Sequence, residues 1–117
     1  MSEVSKDLVA ASSRMMILSI LSGGESYGYQ ILQTVKYLTE GGWNWSDGLI
    51  YPVLHKLENE KLISARWEQI ENGRNRKYYK ITDKGMKSLE KSMQEWKFVD
   101  ATFRKVWETK TCNPLPG

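Results

Sequence analysis

Apolar residues at Leu8, Ala11, Met15, Leu18 and Leu21 recur every three or four positions, with Met16, Ile17 and Ile20 thickening the stripe. That spacing predicts an amphipathic helix, stopped by Gly23-Gly24. A second helix is expected from Ser26 as N-cap, with Ile31, Leu32, Val35 and Leu38 on its inner face and Gly41-Gly42 at its end. In the third, Ser46 or Asp47 can cap a run whose apolar stripe is Ile50, Val53, Leu54 and Leu57. Pro52 falls early in that run, where its missing N–H is cheap if the helix starts near Gly48 and dearer if it starts at Ser46.

The period then changes. In 64-SARWEQI-70, Ala65 and Trp67 alternate with Arg66 and Glu68; in 73-GRNRKYYKIT-82, Tyr79 and Ile81 alternate with Tyr78 and Lys80. Asn72-Gly73 between them supports the positive φ angles of a tight turn, so the pair reads as a β-hairpin. After Thr82-Asp83 the helical period returns and persists to about Trp107. Leu89, Trp96 and Phe103 repeat every seven residues, Met86 and Met93 precede them by three, and Val99 and Val106 widen the seam. One small domain cannot readily cover so long a stripe, so a second copy of the chain is its expected cover, with Met86, Leu89, Met93, Trp96, Val99, Phe103 and Trp107 in the contact. Packing of the stripe on the first helix of the same chain is the alternative.

Three short helices, a two-stranded ribbon and a long helix make a mainly α architecture of the winged helix-turn-helix type. In that arrangement the third helix enters the major groove and the ribbon reaches phosphates beside it. The expected division is residues 1–82 for the DNA-binding domain, 83–108 for a C-terminal dimerisation helix and 109–117 for a flexible tail.

Charge sharpens the reading. The chain of 117 residues has a formal net charge of only +3, but Arg74, Arg76, Lys77 and Lys80 crowd into the ribbon while Glu58, Glu60, Glu68 and Glu71 lie elsewhere in the sequence. A solvated turn explains such a run equally well when it is taken alone. With the third helix projected at about 100° per residue, Gly48, Tyr51, Pro52, His55, Lys56 and Asn59 share the face opposite the core. That face is small, polar and nearly free of acids, suited to close approach and to donation toward phosphates or base edges. Tyr51, His55, Lys56 and Asn59 are the candidate groove residues, and Arg74, Arg76 and Lys77 the candidate phosphate contacts. Tyr51 packed on the first helices is the competing role for that residue. Tyr79, Ile81 and Trp67 are expected to anchor the ribbon to the helical core.

Other chemistry finds little support. His55 has no visible partner for base catalysis, no nucleophile–base pair or metal cluster assembles, and the glycine pairs are helix stops outside any strand–loop–helix context; neither an enzyme nor a cofactor is expected. Cys112, before Asn113-Pro114, reads as an incidental thiol. No window approaches the roughly 18 apolar residues of a membrane span, and MSEVSKDL lacks the build of a signal peptide, so a cytoplasmic protein without membrane contact is expected. A winged-helix module binding only protein is the alternative to a DNA-binding regulator, although it would need no basic ribbon tip.

The segments 27-YGYQI-31, 50-IYPVLHKLE-58 and 73-GRNRKYYKITDKG-85 together resemble the PadR family of bacterial transcriptional regulators, over nearly the whole chain. The resemblance implies a homodimeric DNA-binding repressor with a winged helix-turn-helix and a C-terminal dimerisation helix. The length is similar to that of the short subfamily, some of whose members bind planar aromatic drugs at the dimer interface. Against the family pattern, Leu49 stands where Ser or Thr is common, Lys61 where the third helix usually ends in glycine, and Asn75 in place of a frequent wing arginine.

Trp96 and Asp100 raise a separate question. They lie one helical turn apart, and Asp100 takes the heptad place of Met86 and Met93. Either Asp100 is solvated or paired with Arg104 where the helices diverge, or two Trp96 rings of a dimer sandwich a planar aromatic molecule whose positive charge Asp100 selects.

Overall fold

A computed structural model describes residues 4–109. Helix α1 (Lys6–Leu21) starts at Ser5, whose hydroxyl accepts the Leu8 N–H. Its buried face is Val9, Ser13, Ile17, Leu18 and Leu21, rotated from the expected stripe; Leu8 is 48% exposed. The displaced register has a specific cause. Ser13 sits in the core because its hydroxyl donates to the Val9 carbonyl at 2.6 Å and accepts the Trp45 indole N–H at 3.1 Å. A polar residue with both its needs met can occupy an apolar face.

Ser26 caps no helix. Ser26–Tyr27 form a short strand, β1, and α2 (Gly28–Leu38) follows at once, burying Gly28, Ile31 and Val35 and leaving Leu38 exposed. Helix α2 ends with Glu40 and Gly41 both at positive φ. Helix α3 (Asp47–Asn59) has Ser46 at its N-cap position, so Pro52 lies well inside and the Gly48 carbonyl forgoes its intrahelical donor. Ile50, Leu54 and Leu57 are fully buried.

At the end of α3 Lys61 adopts φ 63°. The Lys61 N–H bonds to the Glu58 carbonyl and the Leu62 N–H to the Leu57 carbonyl, each at 3.0 Å, while the Leu62 and Leu57 side chains are both buried. This is the Schellman termination normally given to glycine. Here a lysine accepts the left-handed conformation.

Strands β2 (Ile63–Gln69) and β3 (Asn75–Ile81) pair antiparallel from Ile63↔Ile81 to Gln69↔Asn75, joined through Glu71–Gly73 with Asn72 and Gly73 at positive φ. The ribbon gains a third member, because β1 pairs with β3 and the sheet order is β1-β3-β2. Thr82 then starts α4 (Asp83–Thr109): its hydroxyl accepts the Gly85 N–H at 3.0 Å, and its own N–H bonds to the Leu62 carbonyl at 3.0 Å. A Cβ on Gly85 would lie 2.1 Å from that same carbonyl oxygen, so only glycine lets α4 root this closely against the end of α3. Leu89 completes the core; beyond it α4 leaves the rest of the fold. Cys112 and most of the expected tail lie outside the described residues. Among the described residues no helix is long and apolar enough to cross a membrane.

Candidate nucleic-acid interface

The polar face of α3 points outward as the sequence suggests. Gly48, Tyr51, Pro52, His55, Lys56 and Asn59 are all exposed. Tyr51 packs on α2 and still faces outward. Its ring lies over the bare Cα of Gly28, where an added Cβ would come within 2.7 Å of Cε1 and the hydroxyl, yet the residue stays 44% exposed. The first turn of α2 therefore sets the direction of an aromatic on the outer face of α3.

The two faces of the ribbon hold their cations differently. On the inner face, Lys77 Nζ donates to Glu58 Oε1 of α3 at 2.9 Å and lies 5.3 Å from the centroid of Tyr79. That bond, ahead of all other causes, raises the Lys77 pKa. Tyr79 is buried and its phenol is pushed up chiefly by that burial. The basic cluster is thus less separate from the acids than their sequence positions suggest, since Glu58 underlies Lys77 and Glu68 faces Arg76 across the strands. Trp67 does not anchor the ribbon: it is 66% exposed and covers Lys77 at 5.9 Å. Tyr79 and Ile81 form the ribbon's inner root.

On the outer face, Arg66 pairs with both Glu25 and Glu68, the latter at 3.5 Å. Its guanidinium lies 4.7 Å over Tyr78, Tyr78 meets Tyr27 edge to face at 5.5 Å, and Arg76 stacks 4.0 Å over Tyr27. Arg76 and Arg74 make no ion pair among the described residues, and Arg74 is exposed at the tip. The Arg76 pKa is raised, first by the Tyr78 hydroxyl.

These partners were not visible as such in the sequence. Tyr27 and Gly28 belong to a quoted segment with no role assigned to either, and Glu58 and Glu25 act across 19 and 41 positions of chain. The remaining anchor, Arg14 of α1, donates to both Glu60 oxygens at 2.9 and 2.8 Å and holds that carboxyl below its usual value of 4.5.

Along α4, Met86 is partly buried and Leu89 fully, whereas Met93, Trp96, Val99, Phe103, Val106 and Trp107 are between 39% and 72% exposed. Within a single chain α1 covers only the root of the seam. Asp100 accepts from Arg104 Nε at 3.0 Å. A recess of about 290 Å³ lies further along, between Phe103, Arg104, Trp107 and Glu108.

A partly exposed recognition helix flanked by a cation-bearing ribbon defines a winged helix-turn-helix DNA-binding protein. The model of the PadR-like family of transcriptional regulators matches residues 17–91, and the chain belongs to that family. It is 34% identical over 87 residues to the transcriptional regulator YqjI of Escherichia coli K12, covering 74% of this chain and 40% of that protein, so it spans two-fifths of that relative's length. Among solved structures it is similar to a transcriptional regulator from Clostridium thermocellum, with a TM-score of 0.79 at 27% identity, covering 87% of this chain and 96% of the other. A PadR-like regulator from Bacillus cereus superposes with a TM-score of 0.75 at 33% identity, over 87% and 97% of the two chains. The chain carries the winged-helix fold of these regulators.

Proposed function

We propose that the chain acts as a homodimeric repressor on a palindromic operator, and that a planar aromatic cation bound between its α4 helices releases it. The observation that carries this reading is the continuous apolar stripe of α4, exposed in the single chain from Met93 to Trp107. Burying several large side chains is worth about 1.5–3 kcal/mol each, enough to drive association of two copies. A two-fold pairing along α4 sets two α3 helices and two wings for half-sites about one helical turn apart, which makes a palindrome the matching DNA. In the same dimer the Trp96 rings face each other across the seam. A cationic ligand stacked there would displace Arg104 as the counter-ion of Asp100.

Phosphate contact falls chiefly to Arg74 and Arg76, since Lys77 is already engaged by Glu58. Replacing both arginines with alanine removes about four contacts per dimer, so the slope of log affinity against log salt flattens by roughly 3 to 4. Between 50 and 200 mM salt the mutant then loses about a hundredfold less affinity than the wild type. The measurement is a salt titration on a labelled mixed-sequence duplex, alongside sedimentation. An unchanged slope, or a species of monomer mass at micromolar concentration, would contradict the proposal.

A further inference from the structure

We infer that Tyr27 is a positioning residue for DNA binding, holding the Arg76 guanidinium on an uncharged aromatic platform so that its full charge remains available to a phosphate. This rests on the reading of the wing as the phosphate-contacting element. Two ways of fixing a wing cation stand side by side in the same ribbon. Lys77 is held by a carboxylate, Glu58, at 2.9 Å, and that contact cancels the charge it positions. Arg76 is held by neutral groups, its Cζ 4.0 Å from the Tyr27 ring centroid and its guanidinium beside the Tyr78 hydroxyl, and neither contact cancels its charge.

The surroundings keep Arg76 out of an ion pair among the described residues. Glu68 lies directly across the strands from Arg76 and is the natural competitor for it. Arg66 engages Glu68 at 3.5 Å and also holds Glu25, so one arginine occupies both nearby acids. Tyr27 is itself fixed from two sides, by strand pairing with Tyr78 and by the edge-to-face contact between the two rings. A flexible arginine usually surrenders side-chain entropy on meeting a phosphate; one already stacked surrenders less.

The test is a salt titration on a labelled mixed-sequence duplex, with thermal melts, for Tyr27→Phe, Tyr27→Leu, Arg76→Lys and Arg76→Ala, and for Tyr27→Leu combined with Arg76→Ala. Tyr27→Leu is expected to weaken binding about three- to tenfold at low salt, the range of a cation–π contact, and Tyr27→Phe to restore it. In the Arg76→Ala background, Tyr27→Leu should have no further effect. Arg76→Lys, which keeps the charge but not the planar stack, should weaken binding as Tyr27→Leu does, and it tests the same point without touching β1. The inference is overturned if Tyr27→Leu costs as much with Arg76 absent as with it present, or if Arg76→Lys binds like wild type. It is also overturned if Arg76→Ala weakens binding while Tyr27→Leu does not. An Arg76→Ala protein with wild-type affinity and slope would instead remove the phosphate-contact reading of the wing on which the inference stands.

Discussion

Gly28→Ala isolates the contact between α2 and the recognition helix. Gly28 is helical, so alanine there meets no backbone strain, and the extra methyl slightly favours the helix. The conflict is steric. The new Cβ would stand 2.7 Å from Cε1 and the hydroxyl of Tyr51, and the ring must retreat by roughly 0.7 Å to reach the 3.4 Å of an ordinary contact. Tyr51 is 44% exposed and free to swing outward, so relief through its side-chain torsions costs about 0.5–1.5 kcal/mol and the melting temperature moves little. DNA binding should suffer more. A hydroxyl displaced from a phosphate or base edge forfeits about 1.5–3 kcal/mol per subunit, at least tenfold in affinity for each half-site. The assay is fluorescence anisotropy on an operator selected in vitro from a randomised duplex library, with Tyr51→Ala as the limit. Gly28→Ala should approach that limit, and the combined variant should bind no worse than Tyr51→Ala alone. Wild-type affinity in Gly28→Ala, with Tyr51→Ala impaired, would refute the claim that this glycine sets the direction of Tyr51.

Lys61→Gly should stabilise the fold by about 1 kcal/mol, raising the melting temperature by about 4 °C, because glycine carries no penalty at φ 63° and the exposed lysine side chain forfeits no packing. Glu60, whose carboxyl is held below 4.5 by Arg14, contributes stability that is present above pH 4.5 and lost as the pH falls through its lower folded value; Glu60→Gln should flatten that acid limb in pH-dependent denaturant titrations. Titrated with planar cationic dyes, Trp96→Ala should lose binding with the dimer intact, and Asp100→Asn should lose cationic dyes selectively over neutral ones. Unchanged dye affinity in both would leave Trp96 as ordinary packing.

What could be read in advance followed the reach of each interaction along the chain. The seam of α4 and the two faces of α3 are periodic over many turns, and both were legible. The stripe of α1 was misplaced because Ser13 interrupts it, and the reason for burying Ser13 is Trp45, 32 positions away. Strand β1 has two residues, too few to carry a period, and its existence depends on β3 lying beside it. At the interface, residue types and the exposed face were recoverable from spacing. Which cations are occupied was not, because the partners Glu58 for Lys77 and Tyr27 for Arg76 are set by the crossing of separate elements.

The root of α4 has a mechanical consequence. Gly85 presses against the Leu62 carbonyl and Thr82 ties the start of α4 to the end of α3, which leaves no hinge between the long helix and the recognition helix. The 27 residues of α4 form an arm about 40 Å long. Turning such an arm by about 5° sweeps its far end through about 3.5 Å, close to the rise of about 3.4 Å per base pair along the duplex axis. If two copies pair along these arms as proposed, a small change of angle where they cross is magnified toward the DNA, and a molecule lodged at the crossing would act on binding through leverage without touching the groove.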